Sequence, residues 1–209
     1  MPVAPTIGVL RMPMGNLRSV CNAVHQQGFD PVLVDRDSDF DTLTHLIVPG
    51  VGNFAAVMAH LEAEGLAHRI RALAASGRPL LGICAGMQLL AGRGTEGGDT
   101  AGLGLVGGVV TRLPEGDEVL PHIGWNTVEL RFDHPVTAMI KPGRDFYFVH
   151  SYALQITHDD ERLGETVYGA PFASIVARGN VVGFQFHPEK SQSNGLRMIE
   201  NFCNWDGRC

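Results

Sequence analysis

The sequence predicts an α/β fold: a mostly parallel open sheet with helices on both faces, plus antiparallel additions. Three observations indicate it. Short apolar runs alternate with amphipathic segments in the first half of the chain. The runs at 46–48 and 80–83 are continuously apolar, as expected for strands buried on both sides. The second half carries several strand-like runs close together, which predicts antiparallel pairing.

The first half supplies strands and helices in turn. A helix is predicted where Leu17, Val20 and Val24 share one face, and Gly28 is a plausible stop for it. Phe54, Val57 and Leu61 predict a second helix, which Ile70 and Leu73 continue in a further segment. Met87 to Leu90 begins another helix. The predicted strands are 7–10, 32–34, 45–48 and 80–83.

The second half has a different character. Residues 92–108 are rich in glycine and predict loops and turns. Strand-like runs follow at 105–112, 125–132, 146–149 and 172–186, with a hairpin turn expected at Gly179-Asn180. A closing helix is predicted from Ser191 to Trp205. We find no linker or internal repeat, so one domain spanning 1–209 is expected.

Composition narrows the possible functions. The formal charge of -6 argues against a nucleic-acid partner. No apolar stretch approaches the roughly 20 residues that span a bilayer, and no signal peptide is expected, so no membrane partner is predicted. The four cysteines show no metal-ligand spacing and are few for a disulfide scaffold. A cytoplasmic protein without a metal site is therefore expected.

Residues 82–86, GICAG, lie between an apolar strand and a helical segment. The pattern G-x-C-x-G at such a junction is the cysteine form of the nucleophile elbow, a sharp turn that pushes the nucleophile into a cleft. The glycines allow close backbone crossings, and the N-terminus of the following helix favours the thiolate. The alternative is that Cys84 is an ordinary buried cysteine. The flanking glycines favour the elbow.

A histidine and a carboxylate follow a later strand, as His187-Pro188-Glu189. In extended geometry, residues two apart point the same way. Glu189 would then hold one imidazole nitrogen of His187, and the other nitrogen could take the proton of Cys84. The alternative is a surface histidine, since the chain has nine. Cysteine elbow and H-x-E together predict a catalytic triad.

These motifs, GICAGMQ at 82–88 with HPE at 187–189, resemble the class I (triad) glutamine amidotransferases. More narrowly, further blocks resemble the glutaminase subunits of imidazole glycerol phosphate synthases. The blocks are MGNL at 14–17, PGVG at 49–52, PHIGWN at 121–126, YFVHSY at 147–152 and FQFHPEKS at 184–191. The resemblance covers almost the whole chain and implies a flavodoxin-like sheet.

The resemblance implies a function and its residues. Cys84, His187 and Glu189 would be the triad, which hydrolyses glutamine through a thioester on Cys84. The segment 50–52 resembles the oxyanion strand, so Val51 and Gly52, with the N–H of Ala85, would form the oxyanion hole. Six positions resemble the glutamine-holding ones: Gly50, Gln88, Glu96, His150, Ser151 and Tyr152. No cofactor is implied.

The resemblance also implies a partner. The family passes its ammonia to a cyclase subunit, in a heterodimer that makes imidazole glycerol phosphate and aminoimidazole carboxamide ribonucleotide for histidine biosynthesis. The positions that would face this cyclase are Asn16, Trp125, Asn126, Tyr147 and Lys190.

Simpler interpretations of single residues stay open. The 49–52 segment could be only a tight turn, Trp125 and Tyr147 could be core aromatics, and Glu96 could be solvated. Lysines such as Lys190 are mostly found on surfaces.

Alternative functions stay open as well. The chain could serve another amidotransferase, for anthranilate, GMP or pyridoxal phosphate synthesis, although the PHIGWN block argues against these. It could be a paralogue that feeds a sugar-amidating synthase, or a non-catalytic scaffold subunit.

Overall fold

The structure, a computed structural model, describes residues 5–12, 17–114, 116 and 118–209. Its helices are α1 (Leu17–Gln26), α2 (Phe54–Ala63), α3 (Leu66–Ala75), α4 (Ala85–Leu89) and α5 (Gln192–Asn204). Its strands are β1 (Ile7–Leu10), β2 (Val32–Val34), β3 (His45–Gly50), β4 (Leu80–Cys84), β5 (Arg93–Gly94), β6 (Thr100–Ala101), β7 (Gly108–Arg112), β8 (His122–Leu130), β9 (Arg144–His150), β10 (Tyr152–Ile156), β11 (Arg162–Tyr168), β12 (Ala170–Arg178) and β13 (Val181–Phe184). None of the helices within these ranges has the length and apolarity needed to cross a bilayer.

One large sheet organises the molecule, in the order β2-β1-β3-β4-β13-β12-β11-β8-β9. The first five strands are parallel. The remaining four continue the sheet with antiparallel pairings. The structure thus confirms the predicted parallel core with antiparallel additions.

The parallel strands inside the edge strand β2, namely β1, β3, β4 and β13, are buried on both faces because helices cover both. Neighbouring side chains along a strand enter opposite cores, so Leu46 and Val48 pack with α2 and α3, whereas Ile47 packs with α1 and α5. This two-sided burial explains why these strands are almost entirely apolar, with the buried His45 at the start of β3 as an exception.

The antiparallel part departs from the sequence-based expectations. The predicted run at 172–186 is two strands, β12 and β13, joined at the expected turn at 179–180. Strands β10 and β11 were not predicted. A second sheet, in the order β10-β7-β5-β6, passes through the glycine-rich segment that predicted only loops and turns. Helix α4 begins at Ala85, earlier than expected, directly after Cys84.

Candidate active site

The predicted catalytic and oxyanion residues lie at the carboxyl ends of three neighbouring strands. Strand β4 lies between β3 and β13, and all three run in the same direction. The oxyanion segment follows β3, Cys84 ends β4, and His187 comes three residues after β13. In register, Gly50 lies beside Cys84. The carboxyl ends of parallel strands are where open α/β sheets place their sites.

The backbone at Cys84 has the strained turn of a nucleophile elbow. Its φ of 54° and ψ of -113° lie in a region that non-glycine residues rarely adopt. The turn packs backbone against backbone. A Cβ on Gly82 would lie 2.5 Å from the Gly86 carbonyl oxygen, and one on Gly86 would lie 1.8 Å from the Val48 carbonyl oxygen. Neither position has room for a side chain, so both must be glycine.

His187 and Glu189 form the predicted hydrogen bond, with 2.8 Å between Nδ1 and Oε1. The local geometry differs from the extended one that we predicted, because Glu189 lies on a 3-10 turn, Pro188–Lys190. The Ser191 hydroxyl steadies this turn. It donates to the His187 carbonyl at 2.7 Å and accepts from the Tyr147 backbone N–H at 3.0 Å.

The electrostatics of His187 favour the imidazolium. Burial opposes its protonation, but the hydrogen bonds and charges of Cys84 and Glu189 outweigh burial and raise its pKa to about 9. The Glu189 side chain is only 2% exposed, so little solvent screens the interaction of its carboxylate with His187. His187 can therefore hold a proton beside the Cys84 sulfur.

A cavity of about 260 Å³ opens above Cys84. It is lined by Val51, Gly52, Cys84, Ala85, Gln88, Glu96, Val149, His150, Ser151, Tyr152, His187 and Lys190. Thus the predicted nucleophile, base and oxyanion residues meet most of the predicted glutamine-holding residues. Gly50 lies outside this lining, on a small adjoining cavity of about 30 Å³ that also contacts Glu189. Val149 was not predicted, and its carbonyl oxygen lies 3.7 Å from the Cys84 sulfur.

Two glutamines lie near Cys84: Gln88, which lines the cavity, and Gln185, which is buried behind it. Gln88 donates from Nε2 to the Tyr152 carbonyl at 2.7 Å and to Gln185 Oε1 at 3.1 Å. Gln185 is fully buried, and its own Nε2 lies 4.0 Å from the Cys84 sulfur. Sequence reasoning missed Gln185, although a polar residue between Phe184 and Phe186 was a usable signal. Since both Nε2 hydrogens of Gln88 are occupied, its Oε1 is the atom offered to a ligand.

Glu96 and His150 both line the cavity, and a backbone group holds each of them. Glu96 Oε2 accepts the backbone N–H of Phe54 at 2.9 Å, at the start of α2, where a helix favours negative charge. Glu96 is therefore anchored and not simply solvated. His150 Nδ1 lies 2.9 Å from the Tyr152 carbonyl oxygen, and burial lowers its pKa to about 3. His150 is therefore neutral.

Three of the predicted partner-facing residues lie on β8 and β9 at one edge of the sheet, and Lys190 lies on the 3-10 turn after His187. Trp125 is 48% exposed, so it is not a core aromatic, and it meets the half-buried Tyr147 edge to face at 6.0 Å. Lys190 Nζ lies 5.8 Å from the centre of the Tyr147 ring. Asn126 is partly buried. Asn16 lies outside the described residues.

No group of three or more metal-ligating side chains that could hold an ion occurs in the described part of the chain. The family model "Glutamine amidotransferase class-I" matches residues 13–205. The chain is similar to imidazole glycerol phosphate synthase subunit HisH of Symbiobacterium thermophilum, with 47% identity covering 90% of this chain and 89% of that one. It is also similar to the HisH subunit of Moorella thermoacetica, with 46% identity covering 94% and 93%.

Solved structures support the fold. PurLQS from Thermotoga maritima has a chain that matches with a TM-score of 0.77 and 22% identity, over 97% of this chain and 99% of that one. A glutamine amidotransferase crystal structure matches with a TM-score of 0.75 and 22% identity, over 96% of this chain and 100% of that one. At this identity the likeness concerns the fold alone.

Proposed function

Because the chain belongs to the class-I glutamine amidotransferases and, among them, to the HisH subunits of imidazole glycerol phosphate synthase, we infer that it is a glutaminase of histidine biosynthesis. We propose that Cys84, His187 and Glu189 carry the reaction. The observation on which this proposal depends is that an elbow cysteine shares one cavity with a histidine whose Nδ1 lies 2.8 Å from a buried carboxylate.

In the first step, the Cys84 thiolate attacks the side-chain amide carbon of glutamine. The carbonyl oxygen becomes an oxyanion, stabilised by backbone N–H groups at Ala85 and in the Val51-Gly52 segment. His187 gives its proton to the amide nitrogen, the carbon–nitrogen bond breaks, and ammonia leaves. A glutamyl thioester remains on Cys84.

In the second step, neutral His187 takes a proton from water, which attacks the thioester. The carbon–sulfur bond breaks, glutamate is released, and the regained proton on His187 faces the thiolate again. Glu189 fixes the orientation of the imidazole and stabilises its cation throughout.

The cavity walls suit a glutamine substrate. Gln88 Oε1 can accept an N–H from the ligand, because the Gln88 amide hydrogens are already bound to the protein. The anchored Glu96 carboxylate can pair with an α-ammonium group. The volume of about 260 Å³ suits a small amino acid better than a larger ligand.

We also propose that the partner is the cyclase subunit, in a cytoplasmic heterodimer. Trp125 and Ile123, 48% and 59% exposed, are large apolar side chains on one face of β8. Lys190 contacts both the glutamine cavity and the Tyr147 ring. This surface would dock the cyclase close to the site where ammonia is released.

An electrophilic glutamine analogue tests this function. It should add one equivalent to Cys84, identified by mass spectrometry, and abolish glutamate formation by the chain mixed with its cyclase. Cys84→Ala should lower that rate at least about a thousandfold. Cys21→Ser, on the partly exposed face of α1, is the matched control and should keep the rate. Labelling at Cys21 with Cys84 unmodified would overturn the assignment.

A further inference from the structure

A line of hydrogen bonds leads from the glutamine cavity to the surface of β8. The Tyr152 carbonyl oxygen lies 2.9 Å from His150 Nδ1. His150 Nε2 lies 2.9 Å from His122 Nδ1, and His122 Nε2 lies 3.2 Å from Asn126 Nδ2. Asn126 Nδ2 also donates to the Val167 carbonyl at 3.0 Å. We call this line the histidine relay. Its two outer members, His122 and Asn126, have no part in the triad.

The contacts of Asn126, at the outer end of the relay, determine which atom of each pair donates the hydrogen bond. Asn126 Oδ1 accepts the backbone N–H of Thr127 at 2.8 Å, and Asn126 Nδ2 donates to the Val167 carbonyl. These two backbone groups identify which amide atom is nitrogen. The atom that faces His122 Nε2 is therefore a donor, and this imidazole nitrogen must be an unprotonated acceptor.

The protonation of each ring then follows from its neighbour. Since Nε2 of His122 accepts, its hydrogen is on Nδ1 and points to His150 Nε2. That nitrogen must accept as well, so the hydrogen of His150 is on Nδ1 and points to the Tyr152 carbonyl. A carbonyl oxygen can only accept, so the hydrogen positions derived from Asn126 also fit the Tyr152 end of the relay.

Packing keeps both rings in place and neutral. His122 stacks between the rings of Tyr168 and Phe148, with centroids 4.0 Å and 4.9 Å away, and it is 2% exposed. Burial lowers the pKa of His122 to about 4. A second proton on either ring would place two N–H groups against each other.

We propose that His122 and Asn126 are positioning residues of the glutamine site. Through His150 they secure a second hydrogen bond to the Tyr152 carbonyl, the group that also receives the Gln88 amide. The relay thereby sets the position of Gln88 and the fit of the substrate. This inference rests on the proposed glutaminase function.

Two substitutions at one position separate positioning from packing. His122→Phe keeps the aromatic stack but removes the donor to His150. We expect the KM for glutamine of the complex with cyclase to rise about fivefold, with kcat within about twofold, and the thermal midpoint nearly kept. His122→Asn loses the stack but returns an N–H near the place of Nδ1. It should lower the thermal midpoint more, yet bring KM back towards the wild-type value.

The proposal therefore predicts that the more stable variant, His122→Phe, has the higher KM, and that the less stable variant, His122→Asn, has the lower KM. A purely structural His122 would make KM follow the thermal midpoint in both variants, which would overturn the proposal. An unchanged KM in a folded His122→Phe would also overturn it.

Ring-nitrogen NMR tests the relay without any activity. In the wild-type chain both rings should carry their hydrogen on Nδ1. Asn126→Asp places an acceptor opposite His122 Nε2, so it should move the His122 proton to Nε2 and change the protonation pattern of His150. Asn204→Asp, the same change at the exposed end of α5, should leave both rings unaltered. An Nε2–H form of His122 in the wild type, or an unchanged His150 in Asn126→Asp, overturns the relay.

The two failures are distinguishable. If the wild-type complex makes no glutamate, the proposed function fails, and the NMR spectra still decide the relay. If it makes glutamate and His122→Phe behaves like the wild type, only the positioning role fails.

Discussion

Two histidines line two walls of the same cavity and are equally exposed to solvent. His187, in the turn after β13, and His150, at the end of β9, are each 6% exposed. Their pKa values nevertheless move in opposite directions, to about 9 for His187 and to about 3 for His150.

The difference comes from what each ring contacts. Burial lowers both pKa values, but His187 also has the Glu189 carboxylate and the Cys84 sulfur beside it. His150 has a carbonyl oxygen, whose hydrogen bond is too weak to offset burial, and a second histidine. Neighbouring charge, not exposure, decides whether a buried imidazole carries a proton.

The two walls are therefore suited to different tasks. In the proposed mechanism, the wall from β4 and β13 holds a charge that moves during the reaction. The wall from β9 and β10 holds neutral groups in one orientation. The first can run proton transfer, and the second can define the shape of the substrate site.

The largest expected loss of activity comes from removing the charge that distinguishes His187 from His150. Glu189→Gln gives His187 a neutral neighbour, so its cation loses the stabilising charge and its ring the enforced orientation. Glutamate formation with the cyclase should fall about a thousandfold or more. Glu200→Gln, in an exposed pair with Arg197, is the control and should retain full activity. A rate within tenfold of the wild type in Glu189→Gln would show that the carboxylate does not distinguish the two walls.

The next prediction concerns the backbone that supports the charged wall. Gly86→Ala should lower the free energy of unfolding by about 3 kcal/mol, because its Cβ would overlap the Val48 carbonyl oxygen at 1.8 Å. In Gly92→Ala the nearest atom would be 3.5 Å away, so the change should stay under about 1 kcal/mol. Urea unfolding measures both. Equal losses of unfolding free energy in the two variants would mean that the backbone around Cys84 can shift to make room for a methyl group.

The opposite pKa shifts predict opposite effects of pH on stability. The folded chain binds the His187 proton more tightly than the ordinary pKa of 6.5 implies. The contribution of His187 is therefore complete below about pH 6.5 and is lost as the pH rises through about 9. His150 and His122 resist protonation, so the folded state loses stability as the pH falls from about 6.5 towards 4.

Each histidine can contribute at most about 1.4 kcal/mol per pH unit. Urea unfolding between pH 4.5 and 9.5 should show both declines. His122→Phe should weaken only the acid one. An acid decline of the same steepness in that variant would contradict the prediction.

The smallest effect should come from the contact between the two walls. Ser191 joins the Tyr147 N–H of β9 to the His187 carbonyl. Ser191→Ala should cost about 1–2 kcal/mol of stability and reduce kcat several-fold, with KM little changed. Ser193→Ala, at an exposed position of α5, is the matched control. A larger change in KM than in kcat would place Ser191 with the recognition wall instead.

The charged wall could largely be predicted from sequence. Strands buried on both sides need unbroken apolar runs, and a nucleophile elbow needs glycines around Cys84, so both leave local patterns. The contact of His187 with Glu189 was also predictable, although the turn that creates it was not. His187-Pro188-Glu189 suggested an extended segment, and a 3-10 turn brings the same two atoms together.

The neutral wall and the antiparallel strands around it left weaker patterns in the sequence. Strands β10 and β11 carry polar residues among apolar ones, since each has a less buried side, and neither was predicted. His122 meets His150 only because β8 pairs with β9 in a register that places these two residues opposite each other. Such a pairing depends on the whole sheet, and no local spacing reveals it. Gln185 was detectable in principle, as a polar residue within a buried apolar segment.

The contact of β3 with the elbow bears on attempts to move this chemistry to another protein. A Cβ on Gly50 would lie 2.5 Å from the Gly86 nitrogen, so two chain segments touch where side chains would ordinarily separate them. Grafting a cysteine, a histidine and a glutamate onto a foreign scaffold would reproduce the reactive groups without this junction. A recipient would first need two adjacent strands whose ends can meet at bare glycine, and few scaffolds chosen by triad distances alone would provide them.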